Sequence, residues 1–405
     1  MKQVPASSSK AIFAYFLVIS IDSISFGLIG SILAPLLAHP SIFFPAYLSV
    51  FLHYCLYGAL VSLFPLTYMI GAPILGILSD RFGRKRILLW CLIVTLFAFV
   101  GYAFAFIYKS IFLLILARMF SGLSAGGQGV AQAAVVDFAK QNEKPFFISL
   151  IAVGMTMGLI IGPLAASLWT HTASWIPFGI GVFLGLMSIT LLLLYVRDGC
   201  PISTRSFTKS SLKNFLKKPG MLRLFSLFLL FELGWSLFYQ TLPLWLSLHW
   251  HLENTQLGLI NSYIGALLAL SLLLGTRYGL RFVSLTSLIQ IGFCFGSCAL
   301  ISLSLPITLP LFFLIAFPIV LTVALIYPGI IAQLSEIGGI EQQGLLMGVS
   351  DALLAFSFTV TGIISSLLMY FNSILPFLLA AFFWVIAGLG TITYKKAIVC
   401  NSVST

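Results

Sequence analysis

Gly76-Ile77-Leu78-Ser79-Asp80-Arg81-Phe82-Gly83-Arg84-Lys85-Arg86 is a short charged turn between two long apolar runs. Residues 54–79 before it and 87–108 after it contain no Asp, Glu, Lys or Arg apart from the turn itself. The rest of the chain follows the same pattern. It is 60% hydrophobic and 8% charged, where a soluble domain carries roughly 25% charged residues. No soluble fold could hide that much apolar surface, so the surrounding solvent is lipid. Backbone groups in lipid must be satisfied internally, which leaves helices or closed barrels. The runs are continuous over about 20 residues rather than alternating, so they read as helices.

Twelve spans follow, at approximately 11–35, 54–78, 87–107, 111–136, 146–169, 176–196, 223–246, 257–276, 283–303, 308–332, 344–369 and 375–394. The first run has no small-residue cleavage site after it and reads as an uncleaved span rather than a secretory signal. Lys and Arg favour cytoplasmic loops. With both termini inside, all of the 21 Lys and Arg except Lys109 and Arg118 fall on the cytoplasmic side or its tails. That bias accounts for the net charge of +11 without nucleic acid as a partner. The one long polar stretch, 197–222, holds Pro201, Pro219 and the largest basic group, and is placed to meet anionic lipid headgroups. It divides the chain into a six-helix bundle at 1–196, a cytoplasmic linker at 197–222 and a second bundle at 223–405.

The halves carry matching marks. Arg81-Phe82-Gly83 at the end of span two recurs as Arg277-Tyr278-Gly279 at the end of span eight. Asp22 in span one has a counterpart in Glu232 in span seven, each about 10 residues into its span, near the midplane at 1.5 Å rise per residue. Pro35 and Pro243 follow them. Two such matches point to duplicated six-helix halves with a substrate site between them.

The turn Gly76 to Arg86 resembles the loop between spans two and three of the major facilitator superfamily. The resemblance sharpens toward the tetracycline/proton and related drug antiporters. It is carried by Asp22-Ser23-Ile24-Ser25-Phe26-Gly27-Leu28-Ile29, by Gly71-Ala72-Pro73-Ile74-Leu75-Gly76, and by Arg118-Met119-Phe120-Ser121-Gly122 with Gly126, Gly127, Gly129 and Asp137. Gly154, Gly158, Gly162 and Pro163 resemble the antiporter motif of span five, and Glu341-Gln342-Gln343-Gly344 also looks like the group. Two features depart from it. Ala165 and Ala166 stand where the pattern has a glycine pair, and spans eight and nine carry no histidine or acid. The resemblance implies an all-α integral membrane protein of twelve transmembrane helices in two pseudo-symmetric six-helix bundles. It also implies a bacterial inner membrane location, a fold that can work as a monomer, and spans one, four, seven and ten lining a central cavity.

An ionisable group within a span costs roughly 2.5–3.5 kcal/mol on insertion scales and is a functional candidate by default. Asp22, Arg118, Glu232 and Asp351 qualify. By the resemblance, Asp22, Arg118 and Glu232 face the cavity. Burial disfavours a charged carboxyl and a nearby arginine favours it, so Asp22 or Glu232 is the expected proton carrier, with Arg118 as counter-charge. Trp235, Tyr239, Gln240 and, in a span bent by Pro318 and Pro328, Tyr327 are candidates for a lipophilic, cation-tolerant substrate surface. Gly76, Asp80, Arg81, Gly83, Arg84, Asp137 and Asp351 form an expected cytoplasmic latch. Gly76 would allow close helix approach, Gly83 would permit a tight turn, and the resemblance implies an Arg84–Asp137 ion pair with Asp80 against the start of span eleven. For Asp351 a helix-packing or gate role stands beside coupling. Gly154, Gly158 and Gly162 share a face at four-residue spacing and read as close helix packing, with Pro163 as a hinge.

Other chemistry has little support. The six cysteines suggest no disulfide, Cys294 and Cys298 reading as small buried residues. The five histidines fall near the outer face and read as interface residues rather than metal ligands. No Gly-x-x-x-x-Gly-Lys loop is present to drive transport with ATP, and no cofactor or enzymatic role is expected. The resulting expectation is a proton-coupled exporter of small amphiphilic compounds. The same machine run as an importer of a nutrient or siderophore-like metal chelate competes with it. A channel or membrane sensor is the remote third.

Overall fold

The computed structural model describes residues 9–38, 43, 47–138, 144–168, 175–196, 218–282, 285–338 and 343–403. The side chains of 9–10, 136–138, 144–152, 274–282, 285–286, 336, 338, 343–345 and 392–403 fall outside that description, as does the linker at 197–217. Every regular element among the described residues is a helix: α1 (Ser9–Ala38), α2 (Val50–Phe82), α3 (Arg84–Ile107), α4 (Ile111–Ala125), α5 (Gly127–Phe138), α6 (Lys144–Ala166), α7 (Ile176–Tyr195), α8 (Met221–Trp250), α9 (Asn254–Phe282), α10 (Leu285–Ser302), α11 (Leu309–Gly338), α12 (Gln343–Phe371) and α13 (Leu375–Val403). Nine candidate spans among the described residues are long and apolar enough to cross a membrane, one of them formed by α4 and α5 together. The apolar stretches Val153–Ala166, Ser287–Ser302 and Leu375–Thr391 occupy the other three places of the twelve-span order.

Two boundaries show how local chemistry shapes the spans. The helix of α2 runs on through Asp80, Arg81 and Phe82 and stops at Gly83, whose φ of 92° lies in the left-handed region that a Cβ disfavours. Span four, expected as one helix over 111–136, is broken at Gly126 into α4 and α5. Gly126 sits against α2 so closely that an added Cβ would lie 2.7 Å from Ala72 N and Cα. The backbone contact that the missing side chain permits is the reason for a glycine there.

The packing repeats between the halves. Helix α3 packs on α4 and α7, and its counterpart α10 packs on α11 and α13. Helix α1 packs along α6 through the predicted glycine face. At Gly158 a Cβ would meet Ser23, and at Gly162 it would lie 2.5 Å from Ile24 O. Pro163 in turn packs its ring on Gly27.

The chain forms two compact units. The first comprises Met1–Leu48, Leu63–Arg205 and Ser247–Gly265, and the second Ser49–Ser62, Ser206–Leu246 and Ala266–Thr405. In the first, Asn261 of α9 donates to Ser31 Oγ of α1 at 3.1 Å, and Gly258 packs on Pro163 of α6 and on Ser167 just beyond its end. In the second, Gly58 and Ser62 of α2 pack on Gly362 and Ser366 of α12.

Candidate functional site

In the first unit the site is built on α1, α3 and α4. Asp22 is 4% exposed. Its Oδ1 accepts from Thr95 Oγ1 of α3 at 3.3 Å, and that hydroxyl also lies 2.9 Å from Ser124 Oγ of α4. One turn along α1, Ser25 Oγ meets Ser121 Oγ at 2.7 Å. Asp22 therefore turns toward α3, in the interior of its own unit, and makes no ion pair among the described residues. Cys91, also on α3, is within electrostatic reach of it.

Arg118 is fully buried at 1% exposure and places its guanidinium 5.4 Å from the centre of the Phe64 ring. Glycine makes that contact possible. A Cβ at Gly122, one turn beyond Arg118, would collide with Phe64 O and Thr67 of α2. The bare backbone lets α2 close on α4 and brings the ring beneath the cation. A desolvated cation–π contact of this kind is worth about 2 kcal/mol.

In the second unit, α8 presents two different faces. Phe231 stacks on Trp384 of α13 with 6.3 Å between centroids, and Phe238 packs on Phe377 at 6.2 Å. Gly234 makes room for the Trp384 indole, which donates to Phe231 O at 3.0 Å. On the other face, Glu232, Ser236 and Gln240 form a buried polar stripe at four-residue spacing. Ser236 accepts from Thr361 of α12 at 2.9 Å. The Gln240 amide donates to Thr361 Oγ1 at 2.7 Å and to Phe358 O at 3.0 Å. Glu232 is 1% exposed, and its Oε2 has no hydrogen-bond partner among the described residues.

Asp351 of α12, half-buried, acts electrostatically on Glu232, and Tyr327 of α11 lies within reach of both carboxyls. Asp351 thus joins the Glu232 group, in addition to the latch in which the sequence placed it. Tyr327 also packs on Phe228 at 6.0 Å. Trp235 and Tyr239, both buried, pack on each other at 5.6 Å.

In the charged turn Arg84 Nη2 lies 3.8 Å from Asp80 Oδ1, between partly exposed side chains. Arg81 lies over the Phe82 ring at 5.3 Å. The Asp137 side chain and the first side chains of α12 lie outside the described residues, and with them the Arg84–Asp137 pairing and the Asp80 contact. Close approach at Gly76 is not seen: no described atom lies within 4 Å of where its Cβ would be. The approach occurs instead at Gly71, whose added Cβ would lie 3.0 Å from Leu123 Cα.

Thr95, Ser124, Ser236 and Thr361 complete the two sites and were not singled out by sequence. Ser236 carried a signal, lying one turn from Glu232. Thr95 and Thr361 carried none, because nothing in the chain says which helix they would meet.

The chain is 29% identical over 190 residues to the tetracycline resistance protein, class H, of Pasteurella multocida (47% of this chain, 45% of that protein). It is 27% identical over 233 residues to the class G protein of Vibrio anguillarum (56% of each), and 27% identical over 154 residues to the quinolone resistance protein NorA of Staphylococcus aureus (38% and 39%). The match thus spans about half the length of these relatives or less. Among solved structures, a D-xylose–proton symporter superposes with a TM-score of 0.76 at 15% identity, covering 94% of this chain and 97% of that one. The human organic anion transporter MFSD10 superposes with 0.69 at 18%, covering 94% and 99%. These two likenesses establish the fold. A family model described as the Major Facilitator Superfamily matches residues 12–276. The chain is a multi-pass membrane protein and belongs to the Major Facilitator Superfamily.

Proposed function

We propose that this protein is a proton-coupled transporter that exports small amphiphilic compounds by alternating access between bundles at 1–196 and 223–405. It would sit in a bacterial inner membrane with both termini cytoplasmic. Glu232 carries the reading. A carboxyl at 1% exposure, with an oxygen that has no hydrogen-bond partner among the described residues, is costly to hold in an apolar span. Taking up a proton and giving it back is a use that justifies the cost. Asp351 and Tyr327 are its neighbours in that exchange, and Asp22 is the corresponding group in the first unit. Trp235, Tyr239 and Gln240 supply an aromatic and amide surface next to Glu232 for a lipophilic substrate. The names of the tetracycline and quinolone resistance relatives support efflux.

The test is transport in proteoliposomes under an imposed pH gradient, with tetracyclines, quinolones and lipophilic cations as the panel. Flux opposite to the proton gradient, lost in Glu232→Gln, is the expected result. Flux in the same direction as protons would replace export by import. Flux indifferent to the gradient would overturn proton coupling.

A further inference from the structure

We infer that Thr95 and Ser124 form a hydroxyl relay that reports the protonation of Asp22 to the break between α4 and α5. The inference deepens the proton-coupled reading of Asp22 and rests on it.

The geometry is a problem of counting hydrogens. A threonine hydroxyl has one hydrogen to donate and lone pairs with which to accept. Thr95 Oγ1 faces two oxygens, Asp22 Oδ1 at 3.3 Å and Ser124 Oγ at 2.9 Å. It can donate to only one at a time. Ser124 already has an acceptor for its own hydrogen, the Ser121 carbonyl at 3.0 Å. All these groups are within 4% of complete burial, so water is not a ready substitute for a missing partner.

A protonated Asp22 completes the row. Its O–H donates to Thr95, Thr95 donates to Ser124, and Ser124 donates to the Ser121 carbonyl. Each oxygen then has its partner. An ionised Asp22 has no hydrogen to give and draws the Thr95 hydrogen to itself, since a bond to a charged acceptor is the stronger one. Ser124 then loses its donor. The Thr95 and Ser124 protons stay on their own oxygens throughout. Only the direction of the hydrogen bonds changes, and the one proton exchanged is that of the Asp22 carboxyl.

The far end of the row is where span four is broken. Ser124 lies in the last turn of α4, and the Gly126 N–H that caps the helix donates to the Ser124 carbonyl. Gly126 and Gly127 follow, packed without side chains against α2 and against Cys91 of α3. Arg118 lies two turns earlier on the same short helix. A change in the Ser124 hydroxyl therefore acts at the junction best able to bend, in the span that carries the buried cation. Thr95 is a positioning residue on this account: it neither binds substrate nor carries the transported proton.

Few other charges compete for control of Asp22. From α3 the titratable group facing it is Cys91. On α4 the charged residue is Arg118, whose guanidinium lies over Phe64. The described side chains of α6, residues 153–166, contain no titratable group, and α7 has only Tyr195 at its end. Asp137 of α5 has its side chain outside the described residues.

The experiment is infrared difference spectroscopy of the full-length protein in lipid, with transport measured on the same samples. The carboxylic acid C=O band that disappears in Asp22→Asn is first assigned to Asp22. Thr95→Val, which keeps the shape and removes the hydroxyl, is expected to shift that band to higher frequency and to reduce pH-gradient-driven flux about ten-fold. Thr95→Ser is expected to leave the band in place and flux within two-fold of the parent. Ser124→Ala should shift the band less than Thr95→Val, because it acts through Thr95, and should still reduce flux. It also serves as the test if Thr95→Val does not fold. A band unmoved by Thr95→Val, or moved equally by Val and Ser, overturns the relay, as does normal flux in both Thr95→Val and Ser124→Ala. If the band shifts as expected but Asp22→Asn keeps full proton-driven flux, the hydrogen bond is real and the assignment of Asp22 to coupling is what fails.

Discussion

The Gln240 amide on α8 donates both to the Thr361 hydroxyl at 2.7 Å and to the Phe358 carbonyl at 3.0 Å on α12. Its Oε1 has no hydrogen-bond partner among the described residues. Interhelical hydrogen bonds in membranes contribute about 0.6 kcal/mol on average, and stranding a buried partner costs more than losing the bond. Gln240→Leu removes two bonds and an oxygen with no partner among the described residues, and leaves the one Thr361 hydrogen an acceptor in either Ser236 Oγ or the Ser357 carbonyl. It should lower stability by about 1 kcal/mol or less. Thr361→Val removes the acceptor for Gln240 and the donor to Ser236 together, and should cost about 2 kcal/mol. Unfolding in detergent micelles gives the order, and the reverse order would show that Gln240 holds α12 through contacts other than these.

Glycine substitutions on α6 should divide sharply from one on α2. A Cβ at Gly158 would lie 2.6 Å from Ser23 C and 2.7 Å from Ile24 N, and one at Gly162 would lie 2.9 Å from Leu28 N. Those are backbone atoms and cannot rotate away, so Gly158→Ala and Gly162→Ala must push α1 and α6 apart, at about 1–3 kcal/mol each. Gly76→Ala meets nothing within 4 Å and gains helix propensity of up to about 1 kcal/mol. Thermal melts with expression levels test the contrast. A destabilised Gly76→Ala would mean that its surroundings close up in another state of the transport cycle.

Much of this molecule was legible in its sequence, and the gaps have physical causes. The charged turn at Gly76–Arg86, flanked by charge-free runs, placed spans two and three, and its echo at Arg277 placed the second half. Asp22, Arg118 and Glu232 stood out because a charge in lipid is rare. The direction in which Asp22 points was not legible. A residue's place on a helix gives a face, but which helix meets that face depends on packing, and for Asp22 that neighbour is α3 through Thr95. Thr95 was hidden because a threonine in a span ordinarily bonds back to its own helix. The break at Gly126 lies inside a stretch whose average hydropathy reads as one span, and hydropathy cannot see a backbone interruption.

The turn itself yields a prediction about energy against function. The Asp80–Arg84 pair is at 3.8 Å with side chains 56% and 21% exposed. Exposed pairs contribute roughly 0–1 kcal/mol. Asp80→Asn should therefore leave the melting temperature almost unchanged. If the turn is a latch, transport should fall several-fold all the same. Arg84→Asp should impair transport further, and adding Asp137→Arg should restore part of it. A melting temperature that falls in step with transport would make the turn a structural support. Failure of the double exchange to rescue would remove Asp137 as the partner.

Glu232 and Asp351 should behave as one unit. Each is within electrostatic reach of the other, and neither forms an ion pair among the described residues. Two interacting carboxyls take up and release protons as a pair rather than as separate sites. Glu232→Gln should abolish flux driven by a pH gradient while leaving substrate exchange at equal pH, which needs no net proton movement. Asp351→Asn should reduce driven flux several-fold and change its pH dependence, because it alters the partner's field. The double substitution should be no worse than Glu232→Gln alone, since residues in one network are not additive. Independent sites would instead multiply their losses, which the same three proteins measured side by side in exchange and driven modes would reveal. Loss of exchange in Glu232→Gln as well would move Glu232 from proton carrier to substrate ligand.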